Sequence, residues 1–218
     1  MTFRFAILAS GAGTNLQALI DAIASGKLAA EIVGVFSDKQ ACAALQRALD
    51  AGIPATALSP KDFASRAEFD AAFFATIDAV QPDLIVCAGY MRLITAAEVE
   101  ARPDRMINLH PSLLPAFKGL YTHQQALDAG AHEHGASVHV VTADLDGGPV
   151  IAQARVPVLP GDNAETLAAR VREQEHPLLI NVVKLFSEGR LRLDEGRIYL
   201  NDQVLGTPLQ LAANQRLP

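Results

Sequence analysis

Cysteine is scarce in this chain of 218 residues, which holds only Cys42 and Cys87 and no C-x-x-C pair. A disulfide-stapled scaffold is therefore excluded, and both thiols are expected to be reduced core residues of a cytoplasmic protein, Cys87 inside the apolar run Leu84 to Ala88. Positive charge is also in short supply: 18 Lys and Arg stand against 24 Asp and Glu, a formal net charge of −6. That balance argues against a broad basic face for duplex nucleic acid, although a few local donors suffice for a small anion. Long apolar runs are missing as well. The opening Phe5 to Ala9 is cut off by Ser10-Gly11-Ala12-Gly13, too short for a membrane span and awkward as a secretory segment, so it reads as a buried strand. Charged residues make up only 19% and hydrophobic residues 50%, the composition of a packed globule and not of a disordered chain. Such a chain can bury the core of about one large domain or of a domain with a small appendage; two compact domains stay open and three are excluded.

Apolar runs of strand length occur at Phe3 to Ala9, Ile32 to Phe36, Leu84 to Ala88 and Met106 to Leu109, bounded by Gly, Pro, Ser or Asp. Parallel strands buried on both faces have this pattern. Leu16, Leu19, Ile20 and Ile23 form the stripe of an amphipathic helix that Gly26 helps to end. Further helices are expected over Ala41 to Ala51 and over Arg66 to Val80, the latter with Phe69, Phe73, Ile77 and Val80 on one side. The β-α-β-α-β-α-β rhythm predicts a doubly wound, mostly parallel α/β sheet flanked by helices. After Pro115 come a short helix near Thr122 to Ala129 and two β-rich runs, Ala136 to Thr142 and Val150 to Val158. A long helix over Ala164 to Phe186 follows, which Pro177 is expected to kink or break. The run Leu191 to Leu200, with Asp194-Glu195-Gly196 in its middle, reads as an exposed C-terminal β-hairpin. No repeat or linker divides the chain. The expectation is a single domain over residues 1–218, with halves 1–110 and 111–190 and a tail 191–218.

Two constellations carry chemistry. Ser10-Gly11-Ala12-Gly13-Thr14-Asn15 lies between the first strand and the first helix, where glycines admit close backbone approach and helix N–H groups attract an anion such as phosphate. The G-x-G-x-x-G fingerprint fails at Leu16, and no Walker ending is present. A plain strand-to-helix turn capped by Thr14 or Asn15 fits the same residues. The second constellation is Met106-Ile107-Asn108-Leu109-His110-Pro111-Ser112-Leu113-Leu114-Pro115. On a strand, Asn108 and His110 share one face at the carboxyl end, where open α/β sheets bind ligands. An amide donor beside a titratable imidazole suits an oxygen that gains negative charge while a proton moves. Asp144 or Asp146, in the loop between the two β-rich runs, could orient and charge that imidazole, or could serve turn chemistry alone.

The stretches Ser10-Gly11-Ala12-Gly13-Thr14-Asn15-Leu16-Gln17, Ala88-Gly89-Tyr90-Met91-Arg92-Leu93, Asn108-Leu109-His110-Pro111-Ser112-Leu113-Leu114-Pro115 and Leu145-Asp146-Gly147-Gly148-Pro149-Val150-Ile151, in this order, resemble the phosphoribosylglycinamide formyltransferase family of folate-dependent formyltransferases. The resemblance extends to about Glu175-His176. It implies a Rossmann-like formyltransferase fold and transfer of a formyl group from 10-formyltetrahydrofolate, as cosubstrate, to the amine of glycinamide ribonucleotide (GAR) in purine (IMP) biosynthesis. It also implies a catalytic group of Asn108, His110 and Asp146. In that group Asn108 and a protonated His110 would stabilise the tetrahedral oxyanion while Asp146 keeps His110 charged. Gly13, Thr14 and Asn15 would hold the ribonucleotide phosphate, Glu175 the ribose hydroxyls, and Arg66, Met91, Arg92, Leu93, Ile94 and Asn108 the folate. Tyr121 departs from the smaller or imidazole side chain that the family often has there.

The remaining candidates read more plainly. His132-Glu133-His134 lacks H-E-x-x-H spacing and is expected to be a solvated loop, so no metal is expected. His139 is expected to be a partly buried strand residue, open to the same cleft. His123 would cap or line the cleft, and His176 would precede the Pro177 break. Without the resemblance, Arg66 reads as a solvated helix-start charge, and Met91 and Leu93 as core. Related formyltransferases acting on methionyl-tRNA carry an additional RNA-contacting domain, and formyltetrahydrofolate hydrolases an N-terminal regulatory one. The short acidic chain fits neither, and Asn108, His110 and Asp146 together argue against a catalytically silent binding protein. The expected partners are the two small substrates, with no nucleic acid and no membrane, in a monomer or homodimer.

Overall fold

The computed structural model describes residues 2–218, and the chain divides into two compact units, Met1–Ile107 and Asn108–Pro218. The first unit contains, in order, β1 (Phe3–Leu8), α1 (Thr14–Ala24), β2 (Ala30–Ser37), α2 (Ala43–Asp50) and β3 (Ala55–Ala57). A 3₁₀ turn (Pro60–Asp62) leads into α3 (Arg66–Asp78), β4 (Leu84–Cys87), α4 (Ala96–Glu100) and β5 (Met106–His110), whose last three residues lie in the second unit. Its strand order is β5-β4-β1-β2-β3. β1 is parallel to both β2 and β4, and β2 to β3. Phe5, Ile7 and Leu8 of β1, Val35 of β2 and Ile85 and Val86 of β4 are fully buried, as strands covered on both faces must be.

Local chemistry sets the helix ends. After α1, Gly26 takes a φ of +72°, and Ser25 N and Lys27 N donate to Asp21 O and Ala22 O, a glycine-terminated C-cap. At the start of α3 the Ser65 hydroxyl accepts from Glu68 N at 3.1 Å, and the Glu68 carboxylate accepts from Ala64 N at 3.2 Å. Phe69, Phe73 and Ile77 are wholly buried along one stripe of α3, but the helix stops at Asp78, before Val80. Both cysteines are free and buried, and burial pushes the Cys87 thiol up to about 12. β3 and α4, with 3 and 5 residues, are too short for an apolar period to register.

The second unit continues with α5 (Thr122–Asp128), β6 (Glu133–Val140), β7 (Val150–Pro157), α6 (Ala164–Ser187), β8 (Leu191–Asp194), β9 (Arg197–Leu200), β10 (Gln203–Val204) and β11 (Leu209–Gln210). Strand order is β5-β6-β7-β11, with β6 and β7 antiparallel and β11 parallel to β7. β8, β9 and β10 form a separate antiparallel sheet. Glu195 and Gly196, at φ +49° and +71°, make the two-residue turn that suits the twist of a hairpin. The hairpin is only half exposed, because Leu191 and Ile198 are buried. α6 packs on β6 and β7 and starts with a capping box in which Asn163 Oδ1 accepts from Thr166 N and Thr166 Oγ1 from Asn163 N.

The expected break at Pro177 does not occur: α6 runs through it as one helix of 24 residues. An interior proline removes one backbone donor and costs about 3 kcal/mol. Leu178, Leu179, Val182 and Val183, all buried beyond it, supply apolar contact that outweighs that loss, at about 1.5–3 kcal/mol per buried side chain. Asn181 Nδ2 donates to the Pro177 carbonyl at 2.7 Å.

A buried polar network fixes the loop after β5, which includes a cis Leu114–Pro115 bond. Ser137 Oγ on β6 donates to Ser112 O at 2.7 Å and accepts from Leu114 N at 3.0 Å and from Gln153 Nε2 at 3.0 Å. Gln153 Nε2 also donates to Leu114 O at 2.9 Å. One hydroxyl thus serves two backbone groups of a loop that could not otherwise be buried. Ser137→Ala is expected to lower unfolding stability in urea by about 1–3 kcal/mol, because buried partners lose their hydrogen bonds; an unchanged midpoint would contradict this account.

Candidate active site

Asn108 and His110 lie two residues apart on β5, so their side chains emerge on one face. His110 is 5% exposed. Its Nε2 donates to the Phe117 carbonyl at 3.0 Å, and its Nδ1 lies 3.5 Å from Asp146 Oδ2. Asp146 comes from the loop joining β6 to β7, where its backbone has a φ of +46°, a region that Asp tolerates better than most residues. The same carboxylate accepts from Gly119 N at 2.8 Å and meets His139 Nε2 at 3.5 Å through Oδ1. Gly148 lets the loop press onto β6: a Cβ there would come within 1.9 Å of the Val140 carbonyl. Of the two aspartates that the sequence offered, Asp146 is the one beside His110, while Asp144 is exposed.

Electrostatics oppose one another at this cluster. Burial works against ionising Asp146, but the His139 contact, the Gly119 amide and the nearby imidazoles outweigh it and hold its carboxyl below the usual range. For His110 burial prevails: it pulls the imidazole below its ordinary value, and the Phe117 carbonyl, Asp146 and Glu175 only partly offset this. The expectation that Asp146 keeps His110 charged therefore meets a larger desolvation effect. Both ring nitrogens nevertheless face acceptors, so a second proton on this ring would find a partner waiting.

His139 is 2% exposed and belongs to the same cluster. Its Nδ1 donates to Val140 O at 2.9 Å, leaving Nε2 of the neutral ring to accept from Asn108 Nδ2 at 3.1 Å. One Asn108 amide hydrogen is thereby engaged and the other is directed elsewhere. Sequence reasoning valued His139 too low; the i, i+2 alternation with the buried Ser137 was the available signal. His132-Glu133-His134 is corrected more sharply. Glu133 and His134 open β6, and His134 is fully buried against His123, with Nε2 3.0 Å from His123 Nδ1. Among the described residues no three His, Cys, Asp or Glu side chains form a group that could hold a metal.

The glycine turn lies in the first unit. Gly13 has a φ of +69° and no room for a Cβ, which would meet Ala44 Cα at 2.7 Å. The turn is braced from α2 by Ala44 N donating to Gly11 O at 3.1 Å and Arg47 Nε donating to Ala12 O at 2.9 Å. The N-cap of α1 is Gly13, which has no side-chain cap bond among the described residues, and Thr14 and Asn15 open the helix. Arg66 is exposed at the first position of α3, and Arg92 lies 5.0 Å over the Phe69 ring. Met91 and Leu93 are 63% and 55% exposed, which overturns the core reading of those two residues; Ile94 is half-buried. Glu175, on α6, is half-buried and its charge reaches His110. Tyr121 is exposed, at a φ of +57°.

A family model described as formyl transferase matches residues 3–183. The phosphoribosylglycinamide formyltransferase of Escherichia coli (strain K12) is 46% identical over 199 residues, 91% of this chain and 94% of that protein. The chain belongs to the phosphoribosylglycinamide formyltransferase family. Two solved structures agree. The phosphoribosylglycinamide formyltransferase of Coxiella burnetii superposes with a TM-score of 0.90 at 45% identity, over 94% of this chain and 97% of that one. Glycinamide ribonucleotide transformylase 1 of Symbiobacterium toebii gives a TM-score of 0.87 at 43% identity, over 91% and 94%. By family the protein is an enzyme that transfers formyl groups.

In this formyltransferase the imidazoles around the site are held in a poorly solvated setting, which makes its folding sensitive to acid. His134 falls from the ordinary 6.5 to about 4, chiefly by burial and then by the neighbouring His123 and His110. Between those values the unfolded chain binds a proton that the folded chain does not. The contribution of His134 to stability is therefore fully present above about pH 6.5 and is lost as pH falls toward 4. His134→Gln is expected to flatten the fall of the urea midpoint across that window, measured against the parent; an unchanged slope would contradict the assignment. His110, His123 and His176, also lowered by burial, preserve part of the slope.

Proposed function

We propose that the enzyme transfers the formyl group of 10-formyltetrahydrofolate to the amine of glycinamide ribonucleotide, in purine biosynthesis, acting as one formyltransferase domain over residues 1–218. The observation that supports this reading is the side-chain cluster in which Asn108 contacts His139 while His110 and His139 both approach Asp146, an amide donor beside titratable rings of the kind that stabilises a tetrahedral oxyanion. The amine nitrogen attacks the formyl carbon, a carbon–nitrogen bond forms, and the bond to the folate nitrogen breaks. The proton lost by the amine ends on that leaving nitrogen. No covalent enzyme intermediate is needed, because the attacking amine is already a competent nucleophile.

Asn108 donates its remaining amide hydrogen to the formyl oxygen. His110 exchanges the Phe117 carbonyl for the same oxygen at Nε2. As negative charge grows on that oxygen, its hydrogen bond from Nε2–H strengthens and, with Asp146 beside Nδ1, the imidazole becomes more basic. Desolvation thus keeps the ring neutral in the resting site, and the reaction itself raises its proton affinity. Gly13, Thr14 and Asn15 hold the ribonucleotide phosphate at the start of α1, supported by the bracing from Ala44 and Arg47. Glu175 binds the ribose hydroxyls. Arg66 and the segment Met91, Arg92, Leu93 and Ile94, together with Asn108, bind the folate; the exposure of Met91 and Leu93 supports an apolar edge that a ligand covers.

In a steady-state assay with both substrates, Asn108→Ala is expected to lower turnover about 100 to 1000-fold, the usual loss for one oxyanion donor, with the protein still folded. Near-parental turnover would contradict the scheme. The same assay with water as sole acceptor is expected to show little formyl release; release to water alone would make the enzyme a hydrolase.

A further inference from the structure

The segment after β4 carries exposed apolar side chains and is nevertheless held firmly, entirely within the first unit. Ser10, 2% exposed, makes three hydrogen bonds there. Its N–H donates to Gly89 O at 2.9 Å, and its hydroxyl donates to Asp38 Oδ1 at 2.5 Å while accepting from Met91 N at 3.1 Å. The acceptor side of that hydroxyl is aimed at Met91 because its hydrogen is committed to Asp38. At the far end of the segment, Asp70 on α3 is 1% exposed and accepts from Thr95 N at 2.8 Å through Oδ2. Its Oδ1 is buried without a hydrogen-bond partner among the described residues. A buried carboxylate is expensive, and the Thr95 amide is the group that this one serves. Between these two points the Tyr90 ring stacks on Phe73 at 5.6 Å, and the Arg92 guanidinium lies over Phe69.

We propose that Ser10 and Asp70 are positioning residues for the formyl donor: they fix Met91 N and Thr95 N at the two ends of the segment, so that a planar heteroaromatic ligand meets a preformed apolar edge. The proposal rests on the donor role assigned above to Met91 through Ile94. Holding such an edge in advance removes the ordering cost that a mobile loop would charge to binding.

The test uses Ser10→Ala, Asp70→Ala and Asp70→Asn, the last retaining an amide oxygen for Thr95 N. The expected result is a rise of about ten-fold in the KM for 10-formyltetrahydrofolate for both alanine variants, since small misplacements of binding groups are costly. The KM for the ribonucleotide and kcat at saturation are expected to stay near parental, and Asp70→Asn to recover most of the donor affinity. Amide hydrogen exchange of the ligand-free protein is expected to quicken at Met91 in Ser10→Ala and at Thr95 in Asp70→Ala. Faster exchange with an unchanged donor KM, parallel rises in both KM values, or loss of folding in both alanine variants would each overturn the proposal. If the parental enzyme did not use the folate donor at all, the functional reading would fail, while exchange would still decide whether the two side chains clamp the segment.

Discussion

A carboxylate sits where water barely reaches, and the candidate active site is organised around keeping it charged. Asp146 has a side chain only 8% exposed, a setting in which an unpaired ion would be neutralised by protonation. The Gly119 N–H donates to one of its oxygens, and two imidazoles lie 3.5 Å away, each able to carry a proton toward it. This requirement explains the strained backbone at Asp146, the glycine at 148 that permits the loop's approach to β6, and the Lys118–Gly119 turn that delivers an N–H. It also defines the state of His110, which is caught between a desolvation penalty that favours the neutral ring and two acceptors that welcome a second proton. A group so balanced changes protonation when a small charge develops nearby, which is what acyl transfer to an amine demands.

The scaffold achieves this with elementary periodicities. The two-residue repeat of a strand brings Asn108 and His110 to one face of β5. The same repeat on β6 puts Ser137 and His139 on one face, where the first anchors the loop after β5 and the second engages the Asn108 amide. Polar residues on β6 thus turn one face of a buried inner strand into support for the catalytic pair, and a register irregularity between Val138 and His139 lies next to that contact. In the first unit the equivalent support comes from Ser10 and α3.

Much of this was legible in the sequence, for physical reasons. Buried parallel strands need unbroken apolar runs, and those runs gave β1, β2, β4 and β5; the stripes of α1 and α3 and the glycines after α1 and within the hairpin marked helices and turns. The motifs located the glycine turn, Asn108, His110 and the aspartate loop. What escaped was set by contacts remote along the chain. β3 is three residues of Ala-Thr-Ala and exists because β2 offers it a partner. Pro177 reads as a breaker until the buried leucines and valines around it are counted. His134 stands among polar neighbours in sequence and is buried against His123. Met91 and Leu93 look like core and are exposed, and His110 looks chargeable beside Asp146 until its burial is weighed.

Asp146 raises the proton affinity of an imidazole that burial has lowered, an effect that titrating the His110 ring by nuclear magnetic resonance in the parent and in Asp146→Asn measures. The His110 titration in the parent is expected to lie below the ordinary histidine range and to fall further when the carboxylate is replaced by the isosteric amide. An unchanged or higher His110 pKa in Asp146→Asn, with the fold intact, would contradict it.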